Sequence, residues 1–191
     1  MKVNLIAHQE RIVDSSLKTV KDHKVFVSSP SDVDDLRACV DKIFKKHGEF
    51  EHKGVLHRFS PFFWESSMTP AYAEDYQEYI FETFGTQCDI FVLMLWKKIG
   101  AGGTEAEYAK FLDEYRRLNP KIEFWACVYG KKVSPIDLDT DQLSRVQSLV
   151  KSNLKHWVLL GGKQGAIDSL SKFKESFEDQ VIKYQKRIQS K

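Results

Sequence analysis

The sequence predicts an α/β fold in which a parallel sheet of about five strands lies between helices on both faces. Short apolar runs of strand length alternate along the chain with segments whose apolar residues recur every three or four positions. The run at residues 89–96 is apolar on both faces, as expected for a central parallel strand that helices cover. Right-handed crossovers join successive strands of this kind, which gives a three-layer sandwich.

The individual elements are assigned from their periodicity and from the residues that end them. Ser31 with Asp34 predicts a capping box at the start of the first helix, and Pro61 places the second strand at a sheet edge or breaks it. The predicted strands are residues 25–27, 55–64, 89–96, 122–129 and 157–160. The predicted helices follow residue 31 and cover residues 71–84, 104–118, 139–154 and 167–188. Residues 1–23 are predicted to form an N-terminal arm or helix, and residues 24–191 a single domain.

Composition excludes several functional classes. The 191 residues carry a net charge of +2, so no global charge attracts nucleic acid or an anionic membrane. No run approaches the roughly 18–20 apolar residues of a membrane helix, and acidic and polar residues come too early in residues 1–10 for a signal peptide to be expected. Cys39, Cys88 and Cys127 are scattered among apolar neighbours, which predicts buried thiols in a reducing compartment. We therefore expect a cytoplasmic protein without a membrane or specific nucleic-acid partner.

Three polar loops follow the carboxyl ends of predicted strands, where ligands bind in open α/β sheets. They are residues 28–32, 65–70 and 97–103. In the first loop, Ser28, Ser29 and Asp32 are predicted either to hold a ligand's phosphate or ribose, or to cap and compensate the next helix. At the second strand end, Trp64 and Glu65 are candidates for stacking on a base and for a second carboxylate, and core packing is the alternative for Trp64.

The glycine loop at residues 100–103 opens onto a predicted helix next to Trp96. Gly102, Gly103 and Thr104 let a backbone approach a ligand closely and offer free N–H groups to a phosphate. Glu107 lies one turn into the helix, where a carboxylate can accept ribose hydroxyls or stabilise an oxocarbenium-like charge. Thr104 and Glu107 also have the spacing of a capping box, so a structural role for Glu107 stays open.

The remaining ionisable residues do not indicate a metal site or a catalytic triad. His52 and His57 are five residues apart without a neighbouring cysteine or carboxylate ligand, so no metal is predicted. No nucleophile elbow is present either. Lys97 and Lys98 are placed to attract an anionic ligand to the same sheet edge, although a solvated surface also explains them.

Several segments together resemble one family. Residues 25–33, the pair Trp64 and Glu65, and residues 89–100 with 103–109 resemble the TIR-like domain of unknown function at the N-termini of many bacterial STAND-type NTPases. The similarity covers residues 24–129 best, and Gly102 stands where that family usually has Ser. It implies a flavodoxin-like fold and, by similarity to TIR enzymes, a catalytic Glu107 that cleaves NAD at the nicotinamide–ribose bond. Nucleoside deoxyribosyltransferases are distantly similar in the same region.

The resemblance leads to three alternative functions. The first is an NAD-cleaving effector of a prokaryotic, antiviral defence system, with NAD as substrate and no separate cofactor. The second is a non-catalytic adaptor that works through homotypic contacts. The third is a deoxyribosyltransferase-like enzyme acting on nucleosides or nucleotides. The resemblance also implies self-association on activation and a fused or partner NTPase or sensor.

Overall fold

The computed structural model describes residues 19–63, 88–99, 108–109, 122–130, 132, 134–153, 158–160 and 166–191. Within these ranges the chain is an α/β fold with helices on both faces of one largely parallel sheet, so the predicted fold class is confirmed. The strands are β1 (Thr19–Ser28), β2 (Glu49–His52), β3 (Val55–Phe63), β4 (Ile90–Leu95), β5 (Glu123–Tyr129), β6 (Val158–Leu159) and β7 (Ala166–Ile167). The helices are α1 (Asp34–His47), α2 (Thr140–Asn153) and α3 (Leu170–Gln189), with 3-10 turns at Ser31–Val33 and Pro135–Asp137.

The strand order of the sheet is β2-β3-β1-β4-β5-β6, and β7 also pairs with β5. Among the strands that the structure describes, only the β2–β3 pair is antiparallel. Without β2, the parallel strands have the order 2-1-3-4-5 of flavodoxin-like sheets, which is compatible with a TIR-like sandwich. The direction of winding reverses between β1 and β4. That reversal places a topological switch point at the centre of the sheet.

Alternate residues of the central strands pack into two separate cores. Val25, Ile90 and Trp125 face the core beneath α1 and α3. Phe26 and Phe91 face the core on the opposite side, together with residues of α2. All six residues of β4 are buried, which explains why its sequence is apolar without alternation.

The strand β1 is longer than the sequence predicts. Residues 19–23 belong to the predicted arm, yet the structure shows them as the first half of β1. They pair with β3 from Thr19 opposite Val55 onward, and Arg58 Nε donates a hydrogen bond to Asp22 Oδ1 at 2.7 Å. Their side chains are mostly polar because this half of the strand is exposed, so the sequence carries no apolar signal there.

A β-hairpin between β2 and β3 was not predicted. Its two-residue turn, Lys53 and Gly54, has positive φ at both positions, 48° and 75°, as in a type I′ turn. The hairpin pairs β2 with only the first four residues of β3, from Val55 to Arg58. Pro61 lies beyond that pairing, where β3 has β1 as its single neighbour within the described residues. The predicted edge position of Pro61 is therefore confirmed locally.

The other described elements agree closely with the predictions, within a few residues at their ends. The last predicted strand is β6, and β7 adds a second short segment along the same edge of β5. The helix predicted from residue 167 begins at Leu170, because Ile167 belongs to β7 and Ser169 caps the helix by accepting from Lys172 N. The predicted helix at residues 71–84 lies outside the described residues. Of the helix predicted at 104–118, only residues 108 and 109 are described, and their backbone is helical.

The three cysteines are free and buried, as predicted. Burial raises the pKa of the Cys88 thiol to about 12, and it raises the pKa of Cys127 further. These thiols are therefore protonated and unreactive at neutral pH. None of the helices in the described ranges combines the length and the apolar composition that a transmembrane span requires.

Two buried histidines join β1 to β3 and α3. His23 Nε2 lies 2.9 Å from His57 Nδ1, and Tyr184 Oη lies 3.3 Å from His23 Nδ1. Only 3% of His23 and 5% of His57 is exposed. If Tyr184 donates its hydroxyl proton to Nδ1, the neutral His23 ring donates from Nε2 to His57 Nδ1, so both nitrogens of His23 have partners without charge.

Because of this buried histidine pair, we predict that the folded protein becomes less stable in mild acid. Burial lowers the pKa of His23 and of His57 below 6.5, so the unfolded chain binds more protons than the folded one as the pH falls through that value. We expect the free energy of unfolding to fall by on the order of 1 kcal/mol between about pH 7.5 and 5.5. Urea titrations across this range should show a smaller fall in a His23→Phe, His57→Phe double variant. An identical pH profile in the double variant would contradict the assignment.

Candidate functional site

The carboxyl ends of β1 and β4 lie side by side at the switch point of the sheet. Ser28, the last residue of β1, pairs with Leu93 of β4. The loops that leave these two strands lead toward opposite faces of the sheet, and open α/β sheets bind ligands in the crevice at such a point. This edge is therefore the candidate site, and it contains two of the three predicted loops.

The first part of the first predicted loop, residues 28–30, is buried, and Arg37 donates hydrogen bonds to it. Ser28 is fully buried and Ser29 is almost so. Arg37 Nη1 donates to Ser29 Oγ at 2.9 Å and to the Pro30 carbonyl oxygen at 3.1 Å, and its guanidinium pairs with Asp34. Ser29 therefore fixes the shape of the loop in this structure, and Ser28 lies buried at the end of β1.

The predicted capping box at the start of the first helix is wrong. A 3-10 turn at Ser31–Val33 precedes α1, so the residue before the helix is Val33, and no side chain caps it. Asp34 pairs with Arg37 instead. Ser31 Oγ faces the other loop and accepts a hydrogen bond from Lys98 Nζ at 3.0 Å. That contact links the loop after β1 to the loop after β4.

Asp32 is the unusual group of this edge. Both of its carboxylate oxygens are buried, and neither has a hydrogen-bond partner of good geometry within the described part of the chain. Burial raises the pKa of Asp32, although the nearby N–H groups of Asp32 itself and Lys97 and the charges of Lys97 and Lys98 oppose the shift. A buried acceptor without a donor is rare in folded proteins and often marks a functional position.

The end of β4 supplies an aromatic surface and positive charge. Trp96 is half-buried, its ring centroid is 5.9 Å from that of Tyr129, and Lys97 Nζ lies 4.9 Å from the centre of the indole ring. Ile99 N donates to Gln142 Oε1 at 3.2 Å, which ties this loop to α2. The edge thus offers an unpartnered carboxylate, ammonium groups and an aromatic ring in adjoining loops.

The other predicted site residues lie outside the described residues. They are Trp64, Glu65, Gly102, Gly103, Thr104 and Glu107. Tyr108, which follows Glu107, is described and is almost completely buried, as its predicted place in an inward-facing stripe requires. Its ring lies 6.2 Å from Phe91 and 6.3 Å from Phe124, so the start of that helical segment packs on the second core.

Some contributors to this edge were not predicted as site residues. They are Arg37, Gln142 and Tyr129, and each contacts a residue at this edge that is at least 8 positions away in the chain. Periodicity within an element cannot indicate such contacts. Only the position of Tyr129 at the end of a predicted strand was a usable signal. Within the residues described, no three His, Cys, Asp or Glu side chains form a group that could hold a metal ion.

No protein-family model and no curated protein matches this sequence. Among solved structures, the chain is similar to the apo form of translation elongation factor SelB from Methanococcus maripaludis, with 14% sequence identity and a TM-score of 0.43. The similarity covers 86% of this chain and 33% of that chain, so this chain spans about a third of the length of SelB. A similarity at this level indicates neither a ligand nor an activity for this chain.

Proposed function

We propose that this chain is a TIR-like effector domain that binds NAD at the carboxyl edge of its sheet and cleaves the nicotinamide–ribose bond. The observation that carries the proposal is Asp32, whose buried carboxylate at the switch point has no hydrogen-bond partner of good geometry among the residues that the structure describes. A carboxylate in this position of an open α/β sheet is suited to accept hydrogen bonds from ribose hydroxyls. The family resemblance of the surrounding segments supplies the reaction.

The groups of this edge match the parts of a dinucleotide. Asp32 would accept from a ribose, the ammonium groups of Lys97 and Lys98 would pair with phosphate oxygens, and Trp96 offers a ring face for a base. In the reaction, the C1′–N bond breaks and nicotinamide leaves as a neutral base. Water adds to C1′ and releases a proton, which gives ADP-ribose. Glu107, assigned from the resemblance, would stabilise the positive charge on the ribose as the bond breaks.

The direct test is release of nicotinamide from NAD by the purified protein at high concentration with a crowding agent. TIR-like enzymes are often switched on by assembly, so light scattering should accompany the assay. Release of nicotinamide with matching ADP-ribose would support the proposal. An assembled protein that leaves NAD intact and also leaves nucleosides unchanged would overturn it in favour of the adaptor function. Base exchange on nucleosides without NAD cleavage would favour the deoxyribosyltransferase-like alternative.

Replacement of Asp32 by Asn is expected to stabilise the free protein and to weaken its affinity for NAD. The raised pKa of Asp32 means that the folded state loses stability as the pH rises above the usual value for Asp, and the neutral amide removes that loss. We expect a gain of about 1–3 kcal/mol at pH 7, a smaller gain near pH 4, and a KM for NAD raised at least tenfold. Urea titrations at both pH values and steady-state kinetics measure these effects.

The matched control is Asp137→Asn, because Asp137 is exposed in the 3-10 turn before α2. That substitution should leave the free energy of unfolding within about 0.5 kcal/mol and the KM unchanged. A destabilised Asp32→Asn protein would show that the carboxylate has partners in the free protein, and the site would then lose its principal support.

A further inference from the structure

A groove lies between α1 and α3, on the face of the sheet where these two helices pack. Its volume is about 580 Å³, within the roughly 300–1,000 Å³ range of small-molecule sites. Ala38, Cys39 and Ile43 of α1 and Leu170 of α3 give it an apolar lining. Leu170 is 41% exposed, so apolar surface at the mouth of the groove faces solvent. The groove is separate from the carboxyl edge of the sheet and shares none of the predicted site residues.

Three ammonium groups (Lys42, Lys46 and Lys174) and two carboxylates (Asp35 and Glu178) line the groove, so its lining carries a net positive charge. Glu178 lines it, but Lys46 Nζ and His47 Nε2 already bind the Glu178 carboxylate at 2.6 and 2.5 Å. These hydrogen bonds lower the pKa of Glu178 to about 2, so the carboxylate stays ionised and engaged. Lys42 and Lys174 also line the groove, and neither has an ion-pair partner among the residues that the structure describes.

The two lysines belong to opposite walls of the groove. Lys42 lies on α1 and Lys174 on α3. Burial raises the pKa of the Cys39 thiol, the charges of Lys174 and Lys42 oppose that shift, and the charges of Glu178 and Asp35 add to it, so groups of both signs lie near this thiol. Two ammonium groups that face an apolar lining form a site for a molecule with an anionic head and an apolar body. The Lys46–Glu178 ion pair joins the last lining residue of each helix, so it lies at one end of the groove.

We propose that this groove binds a small amphiphilic monoanion, such as a medium-chain carboxylate free in solution. The carboxylate would lie between Lys42 and Lys174, and the chain would cover Leu170 and Ile43. A volume of this size favours a small molecule over a partner helix, which needs a long open groove. The proposal does not depend on NAD cleavage, because no residue of the groove is used in the proposed reaction.

The test is calorimetric titration of the full chain with decanoate and with decyltrimethylammonium, both below their micelle concentrations. We expect one saturable site for decanoate and binding at least about tenfold weaker for the cation of equal chain length, since only decanoate gains charge-assisted hydrogen bonds. Equal binding of the two probes would overturn the proposal. Binding only to anionic phospholipid vesicles, with no saturable decanoate site, would also overturn it and would assign the lysines to a membrane surface.

Three variants keep the test specific. Lys42→Glu with Lys174→Glu should weaken decanoate binding at least about tenfold, and Ala38→Trp should block it by filling the groove. Lys183→Glu is the matched control, because Lys183 is exposed on α3 and does not line the groove, so its affinity should equal that of the unmodified chain. Thermal unfolding would verify that each variant folds. Unchanged affinity in folded Ala38→Trp protein would place the binding elsewhere and overturn the proposal.

Discussion

Replacement of Glu107 by Gln is expected to abolish nicotinamide release while leaving the domain folded. The glutamine has the same shape but no charge, so it cannot stabilise the oxocarbenium-like ribose as the bond to nicotinamide breaks. Removal of one electrostatic stabiliser of a transition state lowers kcat by about 100- to 1,000-fold. The same substitution weakens a capping box by at most about 0.5–2 kcal/mol. Activity and stability therefore separate the catalytic role of Glu107 from the structural one.

The experiment compares the Gln variant with Glu105→Gln, which removes a carboxylate from the same predicted first turn. Nicotinamide release would be followed by chromatography, and unfolding would be followed in urea. Glu105 is predicted to compensate the helix dipole, so its variant should keep full turnover. Retained turnover in Glu107→Gln, with a loss of stability equal to that of a missing cap, would assign Glu107 to the helix terminus and withdraw the catalytic role.

Replacement of Phe177 by Ala is expected to destabilise the fold by about 3–5 kcal/mol. Phe177 is fully buried on the inner face of α3. Its ring centroid lies 5.5 Å from that of Phe44 on α1 and 5.8 Å from that of Trp125 on β5, both in edge-to-face geometry. The side chain thus joins two helices and the sheet, and its removal leaves a cavity that three rigid elements cannot close.

Chemical unfolding monitored by circular dichroism would measure this loss. Phe177→Leu, which keeps most of the apolar volume, should lose distinctly less, and Ile136→Ala should lose almost nothing because Ile136 is 95% exposed. Losses of similar size for Phe177→Ala and Ile136→Ala would show that the helix α3 is not held by this core. The midpoint of unfolding, rather than activity, is the quantity that decides between these outcomes.

The parts of the fold that could be predicted are those in which the pattern of apolar residues reflects which side chains are buried. Residues 90–95 are continuously apolar because both faces of β4 are covered, and α1, α2 and α3 show the period of helices with one buried face. Most side chains in the first half of β1 and in the strand β2 are polar, and few of them are buried. Both segments are strands because their backbones pair with β3, and such pairing leaves little trace in a local pattern.

The candidate site could be predicted in position but not in detail. The loop after β1 was identified from the order of strands and helices, because open α/β sheets bind ligands at the carboxyl ends of their strands. The partners of Ser29 and Ser31 could not be predicted. Arg37 reaches Ser29 only once the turn before α1 has formed, and Lys98 reaches Ser31 only after the loops after β1 and β4 have met. The Asp32 carboxylate is buried without a hydrogen-bond partner among the described residues. This too is a property of three-dimensional packing, which the spacing of residues in the sequence does not reveal.

The position of the site between β1 and β4 also has a consequence for how it forms. Val25 and Ile90 are adjacent in the sheet but far apart in the chain. The next parallel strand along the chain after β1 is β3, and it lies on the other side of β1 from β4. A partly folded chain that has assembled only neighbouring segments therefore has no crevice. A nucleotide held there would bind only the fully assembled sheet, so it would draw the folding equilibrium toward completion in proportion to its concentration.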